Sequence, residues 1–178
     1  MTFELRLATT QDIPALNALI PLSARALSAG SYTPAQIESA ITHIFGVDSQ
    51  LIADGTYFVV TADEHVVGCG GWSKRKTLFG GDQMKGAADD LLDPAHDAAR
   101  IRAFFVHPDW TRRGIGRRII EECEAAARRA GYHRMELGAT LPGEPLYAAM
   151  GYAATERFDI PMPDGEVLPA AHMVKSLT

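Results

Sequence analysis

The sequence predicts an α/β fold in which a mixed, mostly antiparallel central sheet carries helices on both faces. Two adjoining runs of β-branched and aromatic residues, at 57–61 and 66–72, have the spacing of an antiparallel hairpin. Residues 100–139 have the pattern of a strand, a helix and a second strand, which normally places both strands side by side and parallel. Helical periods precede the first hairpin and a further hairpin pattern ends the chain, so helices cover a sheet of mixed direction.

The N-terminal part of the chain predicts one strand followed by two helices. Residues 5–7 alternate apolar and polar side chains as a strand does, and apolar positions recur at helical spacing over residues 13–30. Pro21 lies inside that helical pattern and predicts a break or a kink, because proline lacks the amide hydrogen that a helix interior needs. Thr33, followed by proline, caps a second helix whose apolar face runs to residue 44.

The predicted hairpin contains three glycines in its second strand, Gly68, Gly70 and Gly71. Glycine inside a strand marks a bulge or the close approach of another backbone, and packing against a neighbouring helix explains it about as well. The connection that follows, residues 74–97, has no sustained period and carries five aspartates. A connection this long is either a solvated insertion or a substrate-binding loop, and the sequence leaves both open.

The C-terminal half contains the clearest helix of the chain, predicted at residues 114–130 from an apolar stripe at helical spacing and a closing Gly131. The alternation of apolar and polar residues, together with turn residues and prolines, predicts the remaining elements of this half. They indicate strands at residues 100–106, 134–139, 154–160 and 170–177 and a short helix at 145–151.

The composition is that of one globular domain over residues 1–178, and it argues against several classes of protein. No apolar stretch reaches the roughly 20 residues that a bilayer requires. No signal-peptide pattern is apparent either, so we expect a cytoplasmic protein without a membrane segment. The formal charge of −5 argues against a nucleic-acid partner. Cys69 and Cys123 lie in apolar patterns and predict buried thiols, and no histidine or cysteine spacing indicates a metal site.

Residues 102–120 combine a strand, a glycine turn and a helix, which is an arrangement that binds anions. Backbone N–H groups at the start of a helix have no partner within it, and the helix dipole adds positive charge at the same end. Arg112, Arg113, Arg117 and Arg118 fall within seven residues at this turn. Glutamates one helical turn later are placed to serve the last two arginines only. The first two therefore predict a bound anion such as a pyrophosphate.

Val106, Pro108 and the Arg-Arg-Gly-Ile-Gly-Arg turn at 112–117 resemble the acetyl-coenzyme A signature of the Gcn5-related N-acetyltransferases. A second segment, residues 144–152, is similar to the family's later element, a short helix that bears a tyrosine and ends in Gly-Tyr here. The chain departs from the family at Thr111, where arginine or glutamine is usual. The order of helices and strands also matches, so the resemblance covers essentially the whole chain.

The resemblance implies acetyl-coenzyme A as the cosubstrate, without a metal, and it implies which residues bind it. The parallel strands 100–106 and 134–139 are expected to splay apart, with the pantetheine arm in the gap between them. Backbone groups of Phe104, Phe105 and Val106 are expected to hold that arm. The pyrophosphate is expected at the turn residues Arg112, Arg113, Gly114, Ile115, Gly116 and Arg117.

The resemblance further implies transfer of the acetyl group to a primary amine by direct attack on the thioester. Tyr147 is the predicted acid, because a phenol with a pKa of about 10 stays protonated near pH 7 and can protonate the departing thiolate. Glu136, on the strand beside the cleft, is the predicted base, with a chain of waters as the alternative. Tyr152 follows the glycine that ends the short helix and is expected to pack.

Several points stay open at this level. The acceptor is a small-molecule or peptide amine, and the oligomeric state is undetermined, a homodimer included. One alternative function is a non-catalytic module of the same fold that binds coenzyme A as a ligand. The other is a transferase of longer acyl groups.

Overall fold

Residues 2–86 and 89–178 are described by a computed structural model of the chain, and they form one seven-stranded sheet with five helices around it. The strands are β1 (Glu4–Leu7), β2 (Tyr57–Ala62), β3 (His65–Ser73), β4 (Ala99–Val106), β5 (Arg134–Thr140), β6 (Ala153–Pro161) and β7 (Val167–Ser176). The helices are α1 (Ile13–Ser28), α2 (Pro34–His43), α3 (Ser49–Asp54), α4 (Ile115–Arg129) and α5 (Glu144–Ala149). Across the sheet the order is β1, β2, β3, β4, β5, β7, β6.

The central strands β4 and β5 are the parallel pair, and the other neighbouring strands are antiparallel. Ala99 pairs with Met135 and Arg100 with Glu136, at the N-terminal ends of the two strands. No further pairing joins β4 to β5 in the described chain, so the strands separate toward their C-terminal ends. The predicted α/β fold, with a mostly antiparallel sheet and a splayed central parallel pair, is thereby confirmed.

Hydrophobic cores lie on both faces of this sheet. In β2, Phe58 and Val60 belong to a core that includes α4, whereas Tyr57 and Val59 belong to a core that includes α1. Successive side chains of a strand point to opposite faces, so α4 and α1 lie on opposite sides of the sheet. We call these sides the α4 face, which also carries α5, and the α1 face.

α1 runs from Ile13 to Ser28 without interruption, so the helix break that Pro21 predicted does not occur. Pro21 removes the hydrogen bond that the carbonyl of Asn17 would accept, and Asn17 is exposed, so water can serve that carbonyl instead. Leu16 and Ile20 are buried, and they pack the helix against the sheet. Tertiary packing therefore offsets the cost of the internal proline.

α3 is not predicted by the helical period of the sequence, although both ends of this helix carry recognisable signals. Asp48 caps the helix by accepting a hydrogen bond from the amide of Gln50, and Gly55 ends it with a φ of 71°. Only six residues lie between these ends, which is too short a stretch to show a helical period.

Two of the three glycines of β3, Gly68 and Gly70, show the two proposed causes. A Cβ at Gly68 would lie 2.6 Å from Ile115 of α4, so this glycine lets the helix approach the sheet. A Cβ at Gly70 would lie 2.5 Å from the ring of Phe104 on β4. The register of β3 against β4 is irregular at the same point, between Cys69 and Gly71. Gly68 therefore permits close helix packing, and Gly70 lies where β4 carries one extra residue, which is a bulge.

The connection between β3 and β4, which we call the β3–β4 segment (residues 74–98), is held against α3 as far as it is described. Arg75 pairs with Asp54 at 2.7 Å between Nε and Oδ2, and Lys85 pairs with Asp48 at 2.6 Å between Nζ and Oδ1. An isolated β-bridge joins Arg75 to Leu91. These ion pairs link the segment to the body of the protein.

Cys69 and Cys123 are free thiols and both are buried, as predicted. Among the described residues, no helix combines the length and the apolar character needed to cross a membrane.

Candidate active site

The turn before α4 presents backbone donors that have no partner in the described part of the chain. Gly114 precedes the helix with a φ of 84°, and Arg112 has a φ of 59°, so both residues adopt the left-handed conformation. The amides of Ile115, Gly116 and Arg117 donate to none of the described residues. Such a group of N–H donors at a helix N-terminus is a binding site for an anion.

The arginines of this turn extend into solvent. Arg112 is exposed and forms no ion pair with a described residue, whereas the guanidinium of Arg113 lies 4.6 Å above the ring of Trp110. Further along the helix, Arg118 approaches Glu122 at 3.4 Å, as the spacing predicted. Arg112 thus contributes positive charge that no described carboxylate offsets, and this charge reinforces the attraction of the turn for an anion.

The two glycines of the turn are required for different structural reasons. Gly114 has open space around its Cα, so its role lies in its positive φ. A Cβ at Gly116 would lie 2.6 Å from Leu146, so this glycine permits close packing between the start of α4 and α5. That packing brings the predicted acid, Tyr147 on α5, to the same end of the molecule as the turn.

A bulge in β4 shapes the edge of the central gap. Ala103 has a φ of 54°, and its carbonyl accepts a hydrogen bond of 2.7 Å from the hydroxyl of the buried Tyr57. After the bulge, Phe104 and Val106 pack toward the α4 face and Phe105 toward the α1 face. β5 does not pair with β4 at these positions. The backbone of Phe104, Phe105 and Val106, the predicted site of the pantetheine arm, therefore borders the gap.

Tyr147 is buried, with 7% of its surface exposed, and it packs edge-on against Phe104 and Tyr152. The ring centroids are 6.1 Å from Phe104 and 5.9 Å from Tyr152. Burial raises the pKa of the Tyr147 phenol, so the hydroxyl stays protonated at neutral pH. No described residue forms a hydrogen bond with this hydroxyl, which leaves its proton available to a bound molecule.

Tyr152, by contrast, has an internal partner. Its hydroxyl donates to Glu124 at 2.9 Å, and Lys175 donates to both oxygens of the same carboxylate. Burial, together with the negative charge of Glu124, raises the pKa of the Tyr152 phenol. Of the two neighbouring tyrosines, Tyr147 is the one without a structural hydrogen bond to a described residue.

Glu136 lies where β4 and β5 are still paired, opposite Arg100. Its carboxylate forms an ion pair with Arg100 and a contact of 3.0 Å with Nε2 of His172. Its strand neighbours Met135 and Leu137 belong to the core on the α4 face, so Glu136 points to the α1 face. The structure therefore does not bring Glu136 and the buried Tyr147 together, and its contacts are those of an ion-paired residue.

Comparison with known proteins decides the family. The sequence model described as the acetyltransferase (GNAT) family matches residues 25–152. The chain belongs to this family. The match contains the turn, β4, α4, β5 and α5, which are the elements around the gap. A comparison with curated protein sequences gives no match.

Solved structures share the GNAT fold along nearly the whole chain. A GCN5-related N-acetyltransferase from Rhodopseudomonas palustris has a TM-score of 0.72 at 24% identity, covering 99% of this chain and 96% of that one. A paia N-acetyltransferase from Thermoplasma acidophilum, solved with coenzyme A, has a TM-score of 0.66 at 15% identity and covers 99% of both chains. The ribosomal-protein-S18-alanine N-acetyltransferase from Escherichia coli has a TM-score of 0.62 at 16% identity, covering 99% and 95%. At these identities the likeness concerns the fold.

This GNAT chain also has residues beside the gap that the sequence analysis did not single out. Arg102 is 2% exposed, and its guanidinium donates to Asp48 at 2.9 Å and to the carbonyl of Gly80. Asp48 also forms an ion pair with Lys85, so one fully buried carboxylate binds two cations. The sequence does show two arginines, Arg100 and Arg102, in one predicted strand. The partners of Arg102 lie far away in the sequence, so its role could not be predicted.

Proposed function

We propose that this protein is an acetyl-coenzyme A-dependent N-acetyltransferase that transfers the acetyl group to a primary amine by direct attack on the thioester. The observation that carries the proposal is the set of amides at Ile115, Gly116 and Arg117 that lack a partner in the described chain, at the start of α4. Membership of an acetyltransferase family supports it, as does the coenzyme A in complex with the Thermoplasma acidophilum neighbour.

The residues present fit the coenzyme. A pyrophosphate carries negative charge and several acceptor oxygens, which match the amides of the turn and the side chains of Arg112, Arg113 and Arg117. Gly114 keeps the turn in the conformation that aims these amides outward. The backbone of Phe104, Phe105 and Val106 would hold the pantetheine arm, because β4 lacks a β5 partner there and its polar edge is available.

Bound acetyl-coenzyme A would supply a thioester carbonyl as electrophile and a thiolate as leaving group. In our proposal, an amide N–H from the strand that carries Phe104, Phe105 and Val106 polarises the carbonyl, as an oxyanion hole does. Tyr147 holds its proton because burial raises its pKa, and it donates that proton to the thiolate. The base role of Glu136 stays a prediction. Its carboxylate already forms contacts with Arg100 and His172.

The acceptor proposed at this level is the primary amine of a small molecule or a peptide. The Escherichia coli neighbour is named for the alanine of a ribosomal protein, which supports a peptide terminus among the acceptors to test. A non-catalytic coenzyme A-binding module would share the turn but have no use for the proton of Tyr147.

Two measurements test the proposal. Calorimetry with coenzyme A tests binding, and thiol release from acetyl-coenzyme A with a panel of amines tests turnover. We expect micromolar binding or tighter, about −8 kcal/mol, and amine-dependent thiol release. Binding without turnover on any amine would favour the non-catalytic module, and absence of binding would refute the proposal.

A further inference from the structure

The α1 face near the gap carries two aromatic pairs that come from four distant parts of the chain. Phe45 meets Phe105 edge-on with ring centroids 5.6 Å apart, and Phe79 stacks on Phe158 at 5.9 Å. All four rings are partly exposed, whereas the core beneath them is buried. We call these four phenylalanines the aromatic wall.

The β3–β4 segment brings Phe79 to this position. Arg102, one residue before the bulge of β4, donates to the carbonyls of Thr77 and Gly80 on either side of Phe79. Gly138 of β5 lies beneath the ring, since a Cβ there would be 3.5 Å from Phe79 and 3.4 Å from Phe158. A buried arginine thus holds an aromatic side chain over the strand that borders the gap.

Space for a ligand lies next to this ring. A cavity of about 360 Å³ is lined by residues of the β3–β4 segment, among them Leu78, Phe79 and Met84. Its size falls in the range of small-molecule pockets, roughly 300–1,000 Å³. An apolar body of the size of a phenyl group therefore has room beside Phe79.

The side from which the amine reaches the thioester follows from the proposed function. If the turn at the start of α4 holds the pyrophosphate and the arm fills the gap, the coenzyme and α4 together cover the α4 face. The thioester then remains accessible from the α1 face, where the aromatic wall stands. The amine must approach along these rings.

Charge narrows the class of amine. The ionised side chains that flank the wall are paired within the protein: Arg102 and Lys85 with Asp48, and Arg100 with Glu136. Asp89 also lines the cavity, and its carboxylate accepts a hydrogen bond of 3.0 Å from the amide of Thr77 and lies 3.9 Å from Nζ of Lys85. No carboxylate among these described residues is left to hold a second positive charge of an acceptor. An amine with several cationic groups would lose hydration here without gaining an ion pair.

We propose that the acceptor is a small primary amine with an apolar, aromatic body and no second cationic group, and that Phe79 is the residue that selects it. The amine nitrogen attacks the acetyl carbonyl carbon, the new C–N bond forms and the C–S bond breaks. Tyr147 protonates the thiolate, and the extra proton on the attacking nitrogen passes to water, so that the neutral amide forms and water returns a proton to Tyr147.

The experiment compares 2-phenylethylamine with spermidine and with a short peptide that begins with alanine. Thiol release gives kcat/KM for each, and calorimetry on the coenzyme A-saturated protein gives binding. We expect 2-phenylethylamine to exceed spermidine at least tenfold in kcat/KM. Phe79→Ala should raise its KM about tenfold and leave the KM for acetyl-coenzyme A unchanged, whereas Phe79→Leu, which keeps apolar volume, should lie between. Leu91→Ala is the matched control, since Leu91 is 59% exposed on the same segment.

The outcomes separate this inference from the function on which it rests. Preference for spermidine or the peptide, or a KM that Phe79→Ala does not change, would overturn the aromatic acceptor while acetyl transfer stands. Where no amine is turned over, a 2-phenylethylamine affinity that Phe79→Ala weakens still supports the wall, and lack of any binding overturns it. Failure of coenzyme A to bind counts against the proposed function, and the same amine titration on the free protein then decides for or against the wall.

Discussion

The turn before α4 and the buried cluster of Asp48, Lys85 and Arg102 are both rich in cations, yet they differ in where their partners are. In the cluster, one carboxylate with no exposed surface pairs with two cations, so each cation has a partner inside the protein. At the turn, Arg112 is exposed and the first amides of α4 are unbonded among the described residues. Groups whose partners are internal hold the fold, whereas groups that lack them are available to a ligand.

The contrast can be tested because a substitution in each region is expected to change a different measured quantity. Variants on the ligand side should change binding or turnover at nearly constant free energy of unfolding. Variants in the cluster should change the free energy of unfolding and leave the affinity for coenzyme A intact.

The largest effect is expected from Tyr147→Phe. Its hydroxyl has no partner among the described residues, so the free energy of unfolding should hardly change, but loss of the acid should lower kcat about 10²–10⁴-fold. Acetyl-coenzyme A affinity should stay near that of the wild type. Tyr152→Phe is the matched control: it removes a hydrogen bond to Glu124 and should cost about 1 kcal/mol in stability with kcat retained. Wild-type kcat in Tyr147→Phe would remove this residue as the essential acid.

Arg102→Met tests the buried cluster. Removing one member of a buried ion pair typically costs about 3–5 kcal/mol, and Lys85 should keep this loss near the lower limit by remaining with Asp48. Denaturant unfolding measures the change, and coenzyme A affinity of the folded variant should be unchanged. Arg112→Met, at an exposed position, should stay within about 0.5 kcal/mol of the wild-type stability and weaken coenzyme A binding instead. The opposite assignment of these two effects would contradict the comparison.

A pair of glycine variants separates backbone strain from ligand binding. Gly114 and Gly55 both have positive φ, 84° and 71°, and a Cβ on either meets open space. Valine at each position should cost a similar strain of about 1–3 kcal/mol. Only Gly114→Val should lower coenzyme A affinity, by about tenfold or more, because only this turn presents the amides. Equal affinities in the two variants would count against the turn as the pyrophosphate site.

The smallest effect concerns pH. The hydrogen bonds from Arg75 hold the pKa of Asp54 below its usual value. A carboxyl whose folded pKa is lowered stabilises the protein above its unfolded pKa of about 3.9, and this contribution is lost as the pH falls through the lower folded value. Asp54→Asn should therefore reduce the loss of stability between about pH 4 and pH 2, with coenzyme A binding at pH 7 unaffected. An unchanged acid profile would show that this ion pair is unimportant for the β3–β4 segment.

The sequence by itself determined the elements whose signals are local. The apolar stripe of α4, the glycines of the turn and the β-branched runs of the first hairpin each depend on residues a few positions apart, and local sterics and hydrogen bonding act over that range. The crossover from β4 through α4 to β5 indicated a parallel pair for the same reason. The family signature and the short helix with Tyr147 could therefore be recognised from the order of residues alone.

The tertiary structure alone decided which side chains meet. Glu136 has Arg100 and His172 as partners, each 36 positions away, and Arg102 finds Asp48 at a separation of 54. No periodic pattern encodes such pairs, because they depend on the order of strands in the sheet and on the path of the β3–β4 segment. α1 likewise continues through Pro21 because the sheet packs against its buried side. Long-range packing sets the free energy of these contacts, so they exist only in the folded chain.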